Sequence, residues 1–370
     1  MTSPLRIVII GAGLIGPRHA QSVVSNSSTS LVGFIDPSPS ATPYAESFNV
    51  PLYPSLGDLL KSTVKPDAAI VCTPNHTHVP VALDLLKNGI NILLEKPVSD
   101  SIESATELLS TLNDPIIKEK NLKVLVGHHR RFNPYILSTK SLLTANSLGK
   151  ILAVNGLWTV QKPDSYFSPP LGSWRADKNK GGVLGINLIH DVDILMFFFG
   201  PISRVYAEAT TSQRSGRNPD HTAEEGAAIT IRFTSGVVGT FLICDTTPSP
   251  LNFETGTREN PTIPGVNPEE SASDCYRIFG TEGSLSVPDM TRWSYNGREV
   301  RGWNGDLAVE KVGVDGVDLK PFDTQLEHFV RVLRGEESVA CAVGDGVRAL
   351  RVVGGVRESL ENGVPVDIEV

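Results

Sequence analysis

The sequence predicts an α/β protein in two consecutive parts, a doubly wound parallel sheet followed by a largely antiparallel sheet with its own helices. Three observations lead there. The first third alternates short, wholly apolar runs with amphipathic stretches, and a glycine-rich turn follows the first run at once. Beyond residue 150 the apolar runs crowd together and are joined by hairpin-length turns. Runs without polar alternation belong to strands buried on both faces, and the helices between them are the crossovers that parallel strands require.

In chain order the early runs are "RIVII" (6–10), "LVGFI" (31–35), "AAIVC" (68–72), "INILL" (90–94) and "LKVLVG" (122–127). "HVPVALDLLKNG" and "SIESATELLSTL" are the clearest helical patterns between them. The first domain is expected to span 1–129 and the second 130–370. A helix near 134–146 opens the second. "KILAVNGLWTV", "RVYAEAT", "AAITIRF", "VVGTFLICD" and "CYRIFG" then read as strands, and helical segments at about 322–334 and 343–361 close the chain. The stretch 246–273, rich in Pro, Gly, Ser, Thr and Glu, reads as a mobile loop or an oligomer arm. A cleft is expected where the two parts meet.

Composition excludes several classes. The chain has 370 residues, 40% hydrophobic and 20% charged, as expected of a soluble globular protein. Its net charge of −8, with 33 basic residues scattered among 41 acidic ones, argues against nucleic acid or an anionic membrane as partner. No run approaches the ~18 apolar residues of a spanning helix. The N-terminus lacks the basic leader of a signal peptide. Cys72, Cys244, Cys275 and Cys341 form no C-x-x-C pair, so reduced thiols in the cytoplasm are expected, with no metal site and no disulfide framework.

The turn "GAGLIG" carries Gly11, Gly13 and Gly16, with Leu14 and Ile15 between the last two, directly after a strand and at the opening of a helix. Glycines there let the backbone approach a pyrophosphate, whose charge meets the helix N-terminus. Asp36 ends the second strand 20 residues after Gly16, the place from which a carboxylate binds adenosine ribose hydroxyls and repels a 2′-phosphate. No Arg or Lys follows it in "DPSPSATP", so NAD is expected over NADP. At the end of another apolar run, "LLEKPVSD" places Glu95, Lys96 and Pro97 at the carboxyl edge of the predicted sheet, where such folds bind ligands. A desolvated lysine there has a lowered pKa and can exchange a proton near neutrality. Far along the chain, 183–196 is apolar almost all round apart from Asn187, His190 and two aspartates. Asn187 and His190, three apart, share a helix face, and a buried imidazole can accept a hydroxyl proton.

Together "GAGLIG", "CTPNHTH" (72–78), "LLEKP" (93–97), "GHHRRFNP" (127–134), "SWR" (173–175) and "GGVLGINLIHDVD" (181–193) resemble, in order and spacing, the Gfo/Idh/MocA oxidoreductases. The resemblance covers essentially the whole chain. It implies a Rossmann domain, then an α/β domain with a large, open, mainly antiparallel sheet whose outer face forms a homodimer or homotetramer contact. It implies hydride transfer between nicotinamide and a sugar, a cyclic polyol or a related alcohol or its keto form. Lys96 then matches the lysine touching both reacting hydroxyl and cofactor, oriented by Glu95 and set by a cis bond to Pro97. His190 matches the catalytic histidine. Thr73, Pro74 and Asn75 lie on the nicotinamide side of the dinucleotide, and His78 matches a recurrent histidine near them.

Trp174 and Arg175 correspond to an element reaching toward cofactor or substrate. Many relatives place an Asp four residues before the histidine; here that position is Ile186, which leaves proton handling to Lys96 and His190. Arg130 or Arg131 either binds substrate oxygens or forms a structural ion pair, and Asp245, ending a strand, is a candidate ligand for a sugar hydroxyl. His19, His128, His129, His221 and His328 read as structural. The same resemblance leaves two further classes open, an NAD-using enzyme that eliminates a glycosidic bond and a non-catalytic NAD-binding regulator.

Overall fold

The computed structural model describes residues 3–169, 172–260, 262–263 and 274–370. They form two compact units, one of Met1–Phe132 with Leu319–Leu350 and the other of Asn133–Asp318 with Arg351–Val370.

The first unit holds six parallel strands: β1 (Leu5–Ile10), β2 (Thr29–Ile35), β3 (Leu52–Tyr53), β4 (Ala68–Val71), β5 (Asn91–Glu95) and β6 (Val124–Gly127). Their order across the sheet is β3-β2-β1-β4-β5-β6. The predicted runs are all present, and β4, β5 and β6 are buried nearly end to end, as their unbroken apolar sequence requires. The strand missing from the sequence reading is β3, two half-buried residues paired to the end of β2. The order reverses direction between β1 and β4, and a crevice outside the carboxyl ends of those strands is where such sheets hold ligands.

The sequence reading assigned everything after residue 129 to the second domain, whereas 319–350 belongs with the first sheet. The reason is apolar complementarity. In the helix Pro321–Leu333, Phe322, Leu326, Phe329 and Val330 lie on one buried face at helical spacing. Leu326, Phe329, Val343 and Val347 share the core of the parallel sheet, and the Val126 N–H donates to the Cys341 carbonyl at 2.9 Å along β6.

The second unit is built on nine strands: β7 (Ile151–Thr159), β8 (Ile202–Ala209), β9 (Gly226–Phe233), β10 (Val238–Cys244), β11 (Tyr276–Gly280), β12 (Ser284–Val287), β13 (Thr291–Ser294), β14 (Ala308–Lys311) and β15 (Val366–Asp367). Their order is β14-β13-β12-β11-β7-β10-β9-β8-β15, and only the β7–β10 pair is parallel. The four short strands β12 to β15 were not foreseen; they are brief and partly exposed, so their patterning is weak. β9 alternates buried Ala227, Ile229, Ile231 and Phe233 with exposed Ala228, Thr230 and Arg232, so one face of this sheet is core and the other is open. Of the segment 246–273, Thr246 bridges back to Gln161, and Asn252 caps the short helix Phe253–Thr257 by accepting the Thr255 N–H at 2.9 Å. Residues 261 and 264–273 lie outside the described residues.

Candidate active site

In the first unit the glycine turn is shaped by close approach. Gly11 has φ +93°, and a Cβ there would lie 2.7 Å from the Cys72 carbonyl oxygen; one on Gly16 would lie 2.1 Å from that of Gly11. Nothing lies within 4 Å of the Cβ position of Gly13, which leaves its backbone open to a ligand. The helix Gly16–Ser25 begins with no side-chain cap and no acidic residue in its first turn, so its N–H groups are available to an anion. Leu14 is 78% exposed and Ile15 is exposed beside it. Asp36 braces the turn: Oδ2 accepts the Ala12 N–H and Oδ1 the Ser38 N–H, each at 2.8 Å. Each carboxylate oxygen can accept a second hydrogen bond, so the group retains capacity for ribose hydroxyls. These residues fit a dinucleotide.

Thr73 to Thr77 continue from β4 on the other side of the crevice. The Gly11 Cβ position lies 3.0 Å from the Thr73 nitrogen, which brings the two loops together. The Thr77 hydroxyl donates to the Pro74 carbonyl and lies against the Thr73 hydroxyl, both at 2.7 Å. Pro74 is exposed and Asn75 half-buried. His78 is buried, with Nδ1 2.8 Å from the Pro97 carbonyl and Nε2 2.8 Å from that of Thr73. Burial lowers its pKa, against the pull of those two carbonyls. Its ring nitrogens therefore serve the backbone, and any part it plays at a cofactor is indirect.

Lys96 follows β5 and is half-buried, and its bond to Pro97 is cis, as the resemblance implied. Glu95 is buried; Oε1 lies 2.8 Å from His19 Nε2, and Oε2 accepts the Lys96 backbone N–H at 3.1 Å. Burial raises the carboxyl pKa, but the hydrogen bond to His19 and the nearby His19, His129 and Lys96 charges outweigh it, leaving the pKa at about 2. Arg130 and Arg131 are both buried; Arg131 forms the structural option, donating to the Ala340 carbonyl at 2.6 Å and lying 3.6 Å from Asp345.

In the second unit His190 is buried near the start of the helix Ile189–Phe199. Before it, Leu184–Leu188 is a π-helical turn within the one continuous helical segment that the sequence predicts. π-turns are frequent at functional sites. Gly181 and Gly182 admit the chain to this segment. A Cβ on Gly181 would lie 2.5 Å from the Arg175 backbone, and Gly182 has φ +82°. Trp174 is 41% exposed; the Arg175 guanidinium lies over the Tyr166 ring at 4.2 Å and donates to the Tyr166 carbonyl at 3.0 Å.

Asn187 and Asp245 meet through a residue the sequence reading did not single out. The Lys162 ammonium donates to Asn187 Oδ1 at 2.7 Å and lies 3.4 Å from Asp245 Oδ2. The other Asp245 oxygen takes Arg214 at 2.5 Å, and Asp245 is almost wholly buried. Its hydrogen bonds thus go to two internal cations. Glu225 aims Arg214 by accepting the backbone N–H groups of Gln213, Arg214 and Ser215. Burial lowers the Lys162 pKa, partly offset by Asp245. No sequence signal marks Lys162 or Arg214, because their partners lie 25 to 83 positions away. His328 has the structural role expected, with Nδ1 on Glu337 at 2.6 Å and Nε2 accepting the Ala340 N–H at 3.1 Å. Among the described residues no cluster of His, Cys, Asp and Glu could hold a metal ion, and no helix is long and apolar enough to cross a membrane.

Comparison with known proteins places this geometry. Residues 5–128 match the model of the oxidoreductase family's NAD-binding Rossmann fold, and residues 140–368 that of its C-terminal α/β domain. The chain belongs to the Gfo/Idh/MocA oxidoreductase family. It is similar to scyllo-inositol 2-dehydrogenase (NAD(+)) of Bacillus subtilis (strain 168), 24% identical over 100% of this chain and 98% of that one. Its match to inositol 2-dehydrogenase of Rhizobium meliloti (strain 1021) is 28% identical and spans 54% of this chain and 57% of the relative. In fold it resembles the WlbA dehydrogenase of Bordetella pertussis, solved with NADH and UDP-GlcNAcA, at TM-score 0.75 and 19% identity over 100% and 99% of the two chains.

Proposed function

We propose that this oxidoreductase transfers hydride between NAD and a sugar, a cyclic polyol or a related alcohol or its keto form, with Lys96 and His190 handling the hydroxyl proton. The observation that carries the reading is Lys96 itself: a half-buried lysine at the carboxyl edge of the parallel sheet, one strand from the β1/β4 crevice, beside an ionised Glu95. NAD, when bound, supplies the hydride acceptor. Lys96 donates to the alcohol oxygen and stabilises the negative charge that grows there, and His190 accepts the proton. The inositol dehydrogenases among the relatives support the substrate class. Asp36 supports NAD over NADP, since a second negative group beside it would be repelled. Arg130 and Asn187 are assigned to substrate, with Asn187 held in one orientation by Lys162; Asp245, the sugar-hydroxyl candidate of the sequence, is instead occupied by Lys162 and Arg214. The open face of the second sheet, with Val238, Leu242 and Phe279 exposed, is assigned to a homodimer or homotetramer contact. Light scattering of the purified chain tests that assignment, and the cytoplasm is the compartment proposed.

The decisive experiment supplies a panel of polyols and sugars with NAD and follows NADH absorbance for the parent and for Lys96→Met. NADH formation that Lys96→Met abolishes supports the reading. Cleavage of a chromogenic glycoside without NADH build-up, or NAD binding with no turnover, overturns it.

A further inference from the structure

Lys96 is bracketed in sequence by two residues that are each tied to a buried histidine. On one side, Glu95 Oε1 lies 2.8 Å from His19 Nε2; on the other, the Pro97 carbonyl lies 2.8 Å from His78 Nδ1. The two histidines have matching origins. His19 stands in the first turn of the helix that follows β1 and the glycine turn, and His78 begins the helix that follows β4 and the Thr73 loop. β1 and β4 are the strands that flank the crevice. Each loop that faces the crevice therefore leads into a helix whose first turn carries a histidine reaching across to the end of β5, one to the residue before the lysine and one to the residue after it. His78 Nε2 lies 2.8 Å from the Thr73 carbonyl, so the single N–H of the neutral ring serves either its own loop or Pro97 according to the tautomer. Both imidazoles are about 1% exposed, so neither can meet substrate directly.

We infer that His19 and His78 are positioning residues that couple the seating of the dinucleotide to the placement of the Lys96 ammonium. The inference rests on the role proposed above for Lys96. A ligand that settles the glycine turn and the Thr73 loop also settles the two imidazoles. They in turn hold Glu95 and Pro97, leaving the lysine between them little freedom. A displacement of about 1 Å at such a group costs on the order of 10²-fold in rate.

The test uses the full chain, His19→Ala and His78→Ala, and the conservative His19→Gln and His78→Asn, which keep one side-chain N–H donor. Three readouts are taken: NAD affinity by calorimetry, kcat and KM, and the acetylation rate of Lys96 by mass spectrometry with and without NAD, with exposed Lys87 as internal reference. In the parent, NAD should change Lys96 acetylation several-fold and leave Lys87 unchanged. The alanine variants should lose that response and about 10- to 100-fold in kcat, with KM and NAD affinity within about threefold, and the Gln and Asn variants should recover part of both. If an alanine variant does not fold, its conservative partner decides by showing an intermediate response. The coupling is overturned if NAD leaves Lys96 acetylation unchanged in the parent, or if the variants lower only Tm while Lys96 still responds. The acetylation readout needs no turnover. A protein that oxidises none of the alcohols yet shows the response would refute the proposed reaction and leave the coupling standing.

Discussion

Lys96 and Lys162 each come just after a strand and just before a proline, yet the two units use them in opposite ways. Lys96 is half-buried, and its neighbours in sequence are contacted by histidines on two helices of the same unit. Lys162 has a side chain only 10% exposed, between Asn187 and Asp245 and within 5.4 Å of the Trp158 and Tyr166 ring centres. The first unit thus leaves its lysine partly exposed at the end of a strand. The second encloses one between two side chains from distant segments, Asn187 and Asp245, and two rings four positions away on either side. The difference teaches that a lysine's framing, more than its position at a strand end, separates a partly exposed residue from a girder.

That contrast can be broken by experiment. The largest effect is expected for Lys96→Met, a loss of about 10³-fold in kcat/KM with little change in Tm, measured by steady-state kinetics and calorimetry on one preparation. Lys162→Met should do the reverse to the scaffold. It leaves Asp245 with Arg214 alone, and an incompletely paired buried carboxylate costs about 2 kcal/mol, read as a fall of several degrees in Tm. A Lys162→Met protein as stable as its parent would remove the girder reading. Asp36→Ser comes next: a weakening of NAD binding by about tenfold, with NADP approaching NAD in affinity.

The smallest effect lies at acid pH. The Glu95 carboxyl, held at about 2 in the fold against an ordinary 4.5, contributes stability that is complete above about 4.5 and is lost as pH falls toward 2, where the unfolded chain has already taken its proton. Glu95→Gln should flatten that slope in denaturation curves taken across this range, and identical slopes would deny the pair its part.

The same contrast explains what could be read in advance. Gly11, Gly16 and Asp36 are dictated by local backbone geometry, so their spacing carries the meaning, and Glu95, Lys96 and Pro97 stand in one unbroken run. The strands β1, β2, β4, β5 and β6 announce themselves because both their faces are covered. By contrast the strand β3 has two residues and no pattern, and the π-helical turn before His190 leaves no mark in an apolar stretch. Lys162 and Arg214 sit in polar loops indistinguishable from solvent-facing ones, and only folding brings them to Asp245. His19 read as structural because its partner, 76 positions away, belongs to a different motif. The second sheet's core face was legible by alternation in β9. Its edge strands were not, since short exposed strands bury too little to impose a pattern.

The return of 319–350 to the first sheet has a consequence for biosynthesis. Val126 pairs with Cys341, and Leu326, Phe329 and Val347 complete a core begun by residue 7, so the nucleotide-binding half cannot finish assembling until nearly the whole polypeptide has left the ribosome. A fragment ending at Phe132 would present that uncovered flank to chaperones and proteases, and a stalled nascent chain of the same length would do so too.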